Sequence, residues 1–64
     1  MLPIHELAVA KGFLRQAQAF VSGVGSTFFD DGDGITAARL YDIANRIGDE
    51  VQRMEKIIRK RRLF

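Results

Sequence analysis

The stretch Phe28–Thr36, FFDDGDGIT, is the polar break between two long segments of helical periodicity. Three aspartates and two glycines occupy the five positions from 30 to 34. This composition raises three interpretations: a calcium loop, a phosphate-binding loop, or a turn that begins a helix.

The calcium interpretation fails on spacing. A helix-loop-helix calcium site needs oxygen ligands at loop positions 1, 3, 5 and 12, with glycine at position 6. With Gly34 at position 6, Asp31 and Asp33 are correctly placed, but Phe29 and Leu40 occupy positions 1 and 12. A phosphate loop fails as well, because the run lacks the lysine and the glycine spacing of that motif. The sequence therefore predicts no metal site and no cofactor.

A helix start explains the same residues better. Thr36 is a favourable N-cap residue, because its hydroxyl accepts a backbone N–H of the first turn. Ile35 and Leu40 flank it at the spacing of a hydrophobic staple. Gly32 and Gly34 allow the backbone angles of a turn. We therefore predict a helix cap at Thr36.

The segment before the break is periodic at helical spacing. Its apolar residues step by three and four: Leu7, Ala10, Leu14, Ala17 and Val21. Pro3 suits a first turn, and Gly23 and Gly25 suit a C-cap. The pattern predicts helix 1 over about 3–22 and a loop over about 23–35.

The segment after the break carries a heptad a/d seam, typical of helices that pack side by side: Leu40, Ala44, Ile47, Val51, Met54 and Ile58. Pairs of opposite charge four residues apart, such as Asp42–Arg46 and Glu55–Arg59, support this helix. The pattern predicts helix 2 over about 36–62.

Two amphipathic helices with a short connection predict an all-α fold, an antiparallel two-helix hairpin in a single domain over 1–64. At 1.5 Å per residue helix 1 should span about 30 Å and helix 2 about 39 Å. The second helix should therefore be longer, with an overhanging basic tip.

Size and composition favour association with other chains. A chain of 64 residues buries only about 60% of the surface that its unfolded form exposes, so its own core is marginal. The sequence has no cysteine and one histidine, which excludes disulfides and thiolate zinc sites. It also has no stretch that predicts a membrane span or a secretory signal. We expect a protein that is cytoplasmic or lies within an assembled particle, and that is not secreted.

Helix 1 is apolar around most of its circumference, which is typical of a buried helix. A hairpin buries one side of each helix, so the remaining surface should contact other chains. The predicted assembly interface comprises Leu7, Ala8, Gly12, Phe13, Leu14, Phe20, Leu40, Ile47, Val51, Met54 and Ile58.

The C-terminal segment is strongly basic. Residues 53–64 carry six basic side chains and one acidic, a net charge of +5, whereas residues 1–52 carry four basic and seven acidic, a net charge of −3. The predicted contacts to an anionic partner are Arg53, Lys56, Arg59, Lys60, Arg61 and Arg62. The sequence leaves two alternatives for this partner, nucleic acid or an acidic protein surface.

A helix-turn-helix is an alternative for the second segment. IANRIG, residues 43–48, has the alanine-and-glycine spacing of that motif, with Gly48 in its turn. The seam nevertheless continues through Gly48 without a change of phase, which favours one helix.

These patterns predict a non-enzymatic structural protein that assembles with copies of itself or with subunits of a filament, a virion or another complex. No grouping of residues predicts catalysis. The alternative is a small nucleic-acid-binding protein that uses the basic C-terminal helix.

Overall fold

The computed structural model describes residues 3–62, which form two helices joined by a tight turn. Helix α1 spans Pro3–Asp30 and helix α2 spans Gly34–Arg62. The two helices pack against each other along an elongated body of 50 × 17 × 11 Å. Within residues 3–62 there is no strand, and the all-α hairpin is confirmed.

Helix α1 ends eight residues later than the sequence predicts. Gly23 and Gly25 lie inside the helix, and the connection is residues 31–33 rather than 23–35. Each interior glycine costs a helix about 1 kcal/mol. The continuation recovers this through packing, because Val24 is half-buried and Gly25 is buried against α2. The helices have 28 and 29 residues, so the predicted overhang of α2 is absent.

The turn has a Schellman motif at the end of α1. Gly32 adopts a positive φ of 88° and donates its N–H to the Phe29 carbonyl at 3.0 Å. Asp33 donates its N–H to the Phe28 carbonyl at 2.9 Å. This pair of bonds satisfies carbonyls that a helix end leaves free, and glycine is the residue that adopts the required left-handed conformation at least cost.

Asp33, and not Thr36, caps α2. Its Oδ1 accepts the Thr36 N–H at 3.0 Å, and its Oδ2 accepts the Thr36 hydroxyl at 2.7 Å. The Thr36 cap prediction was wrong by three residues, because α1 continues into the turn and α2 begins earlier, at Gly34. Ile35 is 74% exposed inside the first turn, so the predicted staple has no role there.

The core is one row of α2 residues spaced seven apart, namely Ala37, Ala44, Val51 and Ile58. All four are at most 5% exposed. Leu40, Ile47 and Met54 flank the row and are half-buried. The predicted seam of α2 thus packs onto α1 of the same chain, as a heptad pattern requires.

Glycines and large side chains face each other across the helices. A Cβ on Gly25 would lie 3.1 Å from Tyr41 Cε1, and a Cβ on Gly48 would lie 2.7 Å from Gln18 Nε2. Each helix therefore supplies a notch for a side chain of the other. Since α2 runs unbroken through Gly48, the helix-turn-helix alternative is wrong.

Candidate assembly face

One lateral side of the hairpin, which we call the polar face, is held together by polar contacts between the helices. The hydroxyls of Ser26 and Tyr41 share a hydrogen bond of 3.0 Å. Nearer the chain ends, Arg15 donates to Glu55, and Lys11 Nζ lies 4.0 Å from the same carboxylate. These contacts pair polar and charged side chains of the two helices within the chain itself.

The opposite side carries an open apolar groove of about 390 Å³. Leu14 of α1 forms one wall, and Ile43, Ile47 and Met54 of α2 form the other. Arg46 and Glu50 also line it. The groove thus presents mainly aliphatic side chains to its surroundings, together with two charged side chains of α2.

A second groove, of about 180 Å³, continues this apolar side toward the chain ends. Ile4, Leu7, Ile57 and Arg61 line it. Leu7 precedes Leu14 by seven residues, and Ile57 follows Ile43 by fourteen. Residues at multiples of seven share one side of a packed helix pair, so the two grooves lie on the same side. We call this surface the apolar face; its apolar residues are Ile4, Leu7, Leu14, Ile43, Ile47, Met54 and Ile57. Arg46, Glu50 and Arg61 also line its grooves.

The apolar surface extends from the apolar face around the back of α1. At about 100° per residue, Ala17 and Val24 follow Leu14 around the helix, and Phe13 and Phe20 come next. Phe13 is 68% exposed and Phe20 is 73% exposed. These two phenylalanines do not pack into the hairpin, so packing within one chain does not explain why large apolar side chains occupy these positions.

The predicted interface residues divide between the inside and the outside of the hairpin. Val51 and Ile58 are buried between the helices of one chain. Leu7, Leu14, Ile47 and Met54 line the apolar face, and Leu40 is half-buried beside them.

Ala8 and Gly12 lie on a different side of α1. Ala8 is half-buried, while Gly12 is exposed, and a Cβ built on Gly12 would have open space around it. Sequence reasoning missed Ile4, Ile43 and Ile57, because they lie outside the seam. The presence of isoleucines outside the a/d seam was the sequence signal that could have indicated a second apolar surface.

The basic side chains near the end of α2 are exposed. Arg53 Nη1 lies 3.0 Å from Glu50 Oε1. Lys56 and Arg59 border a polar depression of about 210 Å³ with Gln52 and Glu55. Lys60 and Arg61 are exposed, and the side chain of Arg62 lies outside the described residues. Because the helices are of similar length, this cluster lies beside the start of α1.

The aspartates of the turn serve the backbone. Hydrogen bonds from the Thr36 N–H and hydroxyl lower the pKa of Asp33, because they stabilise its charged form. Asp30 and Asp31 are exposed on the last turn of α1 and just beyond it. Within residues 3–62, no three histidine or acidic side chains are grouped as a metal site requires.

Comparison with known proteins adds no family. No family model, curated protein or solved structure matches the chain. Neither of the two described helices contains a stretch long and apolar enough to cross a membrane.

Proposed function

We propose that this protein is a non-enzymatic structural subunit that assembles with further copies of itself through the apolar face. The observation that carries the proposal is the mainly apolar side of the hairpin, with the two grooves on one surface. On the opposite side, polar and charged side chains of the two helices pair within the chain.

The amount of exposed surface supports association. The hairpin exposes 5130 Å², whereas a compact monomer of 7.2 kDa is expected to expose about 4,100 Å². The difference of roughly 1,000 Å² is comparable with the ~800 Å² that each partner buries in a standard protein interface. Among the residues that the structure describes, four apolar side chains are buried, and this small core is extended when a second hairpin covers the grooves.

The extended apolar surface supports the same function. Phe13 and Phe20 adjoin the apolar face, and aromatic residues are enriched in the buried centres of protein interfaces. Two hairpins packed by their apolar faces form a four-helix bundle, in which each helix finds two neighbours. Larger assemblies, such as a filament or a virion, would use the remaining apolar surface of α1.

Ile43→Gln tests the role of the apolar face. Ile43 is 46% exposed in the hairpin, so association would bury about half of its side chain, worth about 1 kcal/mol. In a symmetric dimer the change occurs twice, so the variant should dissociate about 30-fold more readily. Ile35→Gln is the matched control, because Ile35 is 74% exposed in the first turn of α2 and outside the two grooves.

The measurement is sedimentation velocity over a dilution series, with circular dichroism of the same samples. We expect wild type and Ile35→Gln to associate alike and Ile43→Gln to require higher concentration. A folded hairpin that stays monomeric at every concentration would refute the proposal. Equal weakening by both glutamines would show that the grooves have no special role.

Nucleic-acid binding is the second candidate, supported by the exposed Lys56, Arg59, Lys60 and Arg61. Binding through these side chains should weaken steeply as salt is raised, because it releases counterions from the phosphates. A gel shift at low salt tests it, with alanine at positions 59–61 as the variant. Absence of a shift at low salt would remove this candidate.

A further inference from the structure

The two ends of the hairpin carry opposite charge. The turn end, residues 24–42, holds four acidic side chains and one basic, a net charge of −3; they are Asp30, Asp31, Asp33, Asp42 and Arg39. The open end, residues 3–11 and 55–61, holds five basic and two acidic, a net charge of +3; they are Lys11, Lys56, Arg59, Lys60, Arg61, Glu6 and Glu55. The centres of these regions lie near opposite ends of a body 50 Å long.

Two symmetric arrangements would bring two apolar faces together. In each, a two-fold axis makes the interface isologous, so that the same surface is used by both copies. In the parallel arrangement the two turns lie side by side, and in the antiparallel arrangement each turn lies beside the partner's open end. The apolar contacts alone do not distinguish these arrangements, because both cover the grooves.

We propose that the self-association is an antiparallel two-fold dimer, in which the acidic turn of each hairpin lies beside the basic open end of its partner. This inference rests on the proposed function and specifies its geometry. The parallel arrangement would place −3 beside −3 and +3 beside +3, and like charges at an interface oppose wrong pairings. The antiparallel arrangement places opposite charges together at both ends.

The dimensions of the hairpin are consistent with this pairing. A side of 50 by 17 Å has a footprint of about 850 Å², close to the ~800 Å² per partner of a standard interface. Most of the charged residues at its ends are exposed, and Arg61 lines the second groove of the apolar face. At the rim of an interface, charge specifies orientation more than it adds affinity. Such a rim is screened over about 8 Å at physiological salt, so the preference should be greatest at low salt.

Spin-label distances test the orientation directly. The sequence contains no cysteine, so one introduced cysteine carries the only label of each chain. Gly34→Cys places the label at the turn end, where an added Cβ meets open space and no charge is lost. His5→Cys, on an exposed residue of α1, places it at the open end.

In the antiparallel dimer, two labels at position 34 should lie near opposite ends, at a separation approaching the 50 Å length of the hairpin. A mixture of the two singly labelled chains should add a short distance, within about 20 Å, the width of two packed helix pairs. Ile43→Gln in the same labelled chains is the control, and the interchain signal should diminish with it.

The outcomes separate the two proposals. Two labels at position 34 within about 20 Å would mean that dimers form but are parallel, which overturns this inference and leaves the assembly proposal intact. A mixture of short and long distances from position 34 alone would indicate an open array and would also overturn it. Absence of any interchain distance, with monomers in sedimentation, would refute the assembly proposal itself.

Discussion

Replacing Gly25 by alanine should destabilise the hairpin, whereas the same replacement at Gly23 should stabilise it. Both glycines lie inside α1 and are two positions apart. Either alanine removes the conformational cost of an interior glycine, a gain of about 1 kcal/mol. The difference between them comes from what the new methyl group meets.

At Gly23 the added Cβ has no neighbour within 4 Å, so the gain should be realised in full. At Gly25 it would lie 3.1 and 3.3 Å from Tyr41 ring carbons and 3.4 Å from Leu40 Cβ. Crowding of this kind costs about 1–3 kcal/mol in a packed site. The free energy of unfolding of the two variants should therefore differ by about 1–3 kcal/mol.

Urea unfolding followed by far-UV circular dichroism measures this difference. All variants must be compared at one chain concentration, because association contributes to apparent stability. In thermal unfolding of the same variants, the midpoint temperatures should differ by roughly 4–8 °C for each kcal/mol of difference in the free energy of unfolding. Tyr41→Ala provides the control, since Gly25→Ala in that background should become as favourable as Gly23→Ala.

The opposite pattern would refute the reasoning. If Gly25→Ala stabilises the protein as much as Gly23→Ala while Tyr41 is present, the notch is not a close contact. If the penalty persists after Tyr41→Ala, the crowding has another source. Either result would remove the explanation of why α1 carries a buried glycine opposite α2.

Two further variants test the turn. Gly32→Ala should lower the free energy of unfolding, measured in urea, by about 1–2 kcal/mol, because a φ of 88° is unfavourable for a residue with a Cβ. Gly34→Ala, where φ is negative, is the control. An equal loss of stability in the two variants would contradict this explanation. The folded pKa of Asp33 lies below its unfolded value, so its stabilisation is present above the unfolded pKa of about 3.9 and is lost as pH falls through the lower folded value. Asp33→Asn keeps a capping amide oxygen but removes the stabilisation by the charged carboxylate. The difference in melting temperature between wild type and this variant should therefore shrink below about pH 4. A constant difference across the acid range would contradict the role of the Asp33 charge.

Much of the fold could be predicted because its signals are local. The seam of α2 and the stepping of apolar residues in α1 are periodic, and periodicity reports the side of a helix that is buried. The pairing of Asp42 with Arg46 also follows from spacing, and the structure places them 3.0 Å apart. A short polar break between two such segments then leaves the hairpin as the simplest packing.

Two of the wrong predictions concern residues whose role depends on the other helix. Glu55 was expected to pair with Arg59 along α2, but it contacts Arg15 and Lys11 across the hairpin. Gly48 resembled a turn residue, yet it lies inside α2 opposite Gln18. The apolar face was only partly predicted, since Ile43 and Ile57 acquire their neighbours from α1 through packing.

FFDDGDGIT shows where the order of residues is sufficient and where it is not. Its two glycines and three aspartates fit a turn between helices and do not fit a calcium loop, and both conclusions depend only on the sequence. The cap of α2 is a local contact of Asp33 with Thr36, whereas the continuation of α1 to Asp30 also involves contacts with residues far along the chain. Interior glycines carry a local cost of about 1 kcal/mol each, and the packing of Gly25 against Tyr41, sixteen positions away, is a compensating contact that only the tertiary structure supplies.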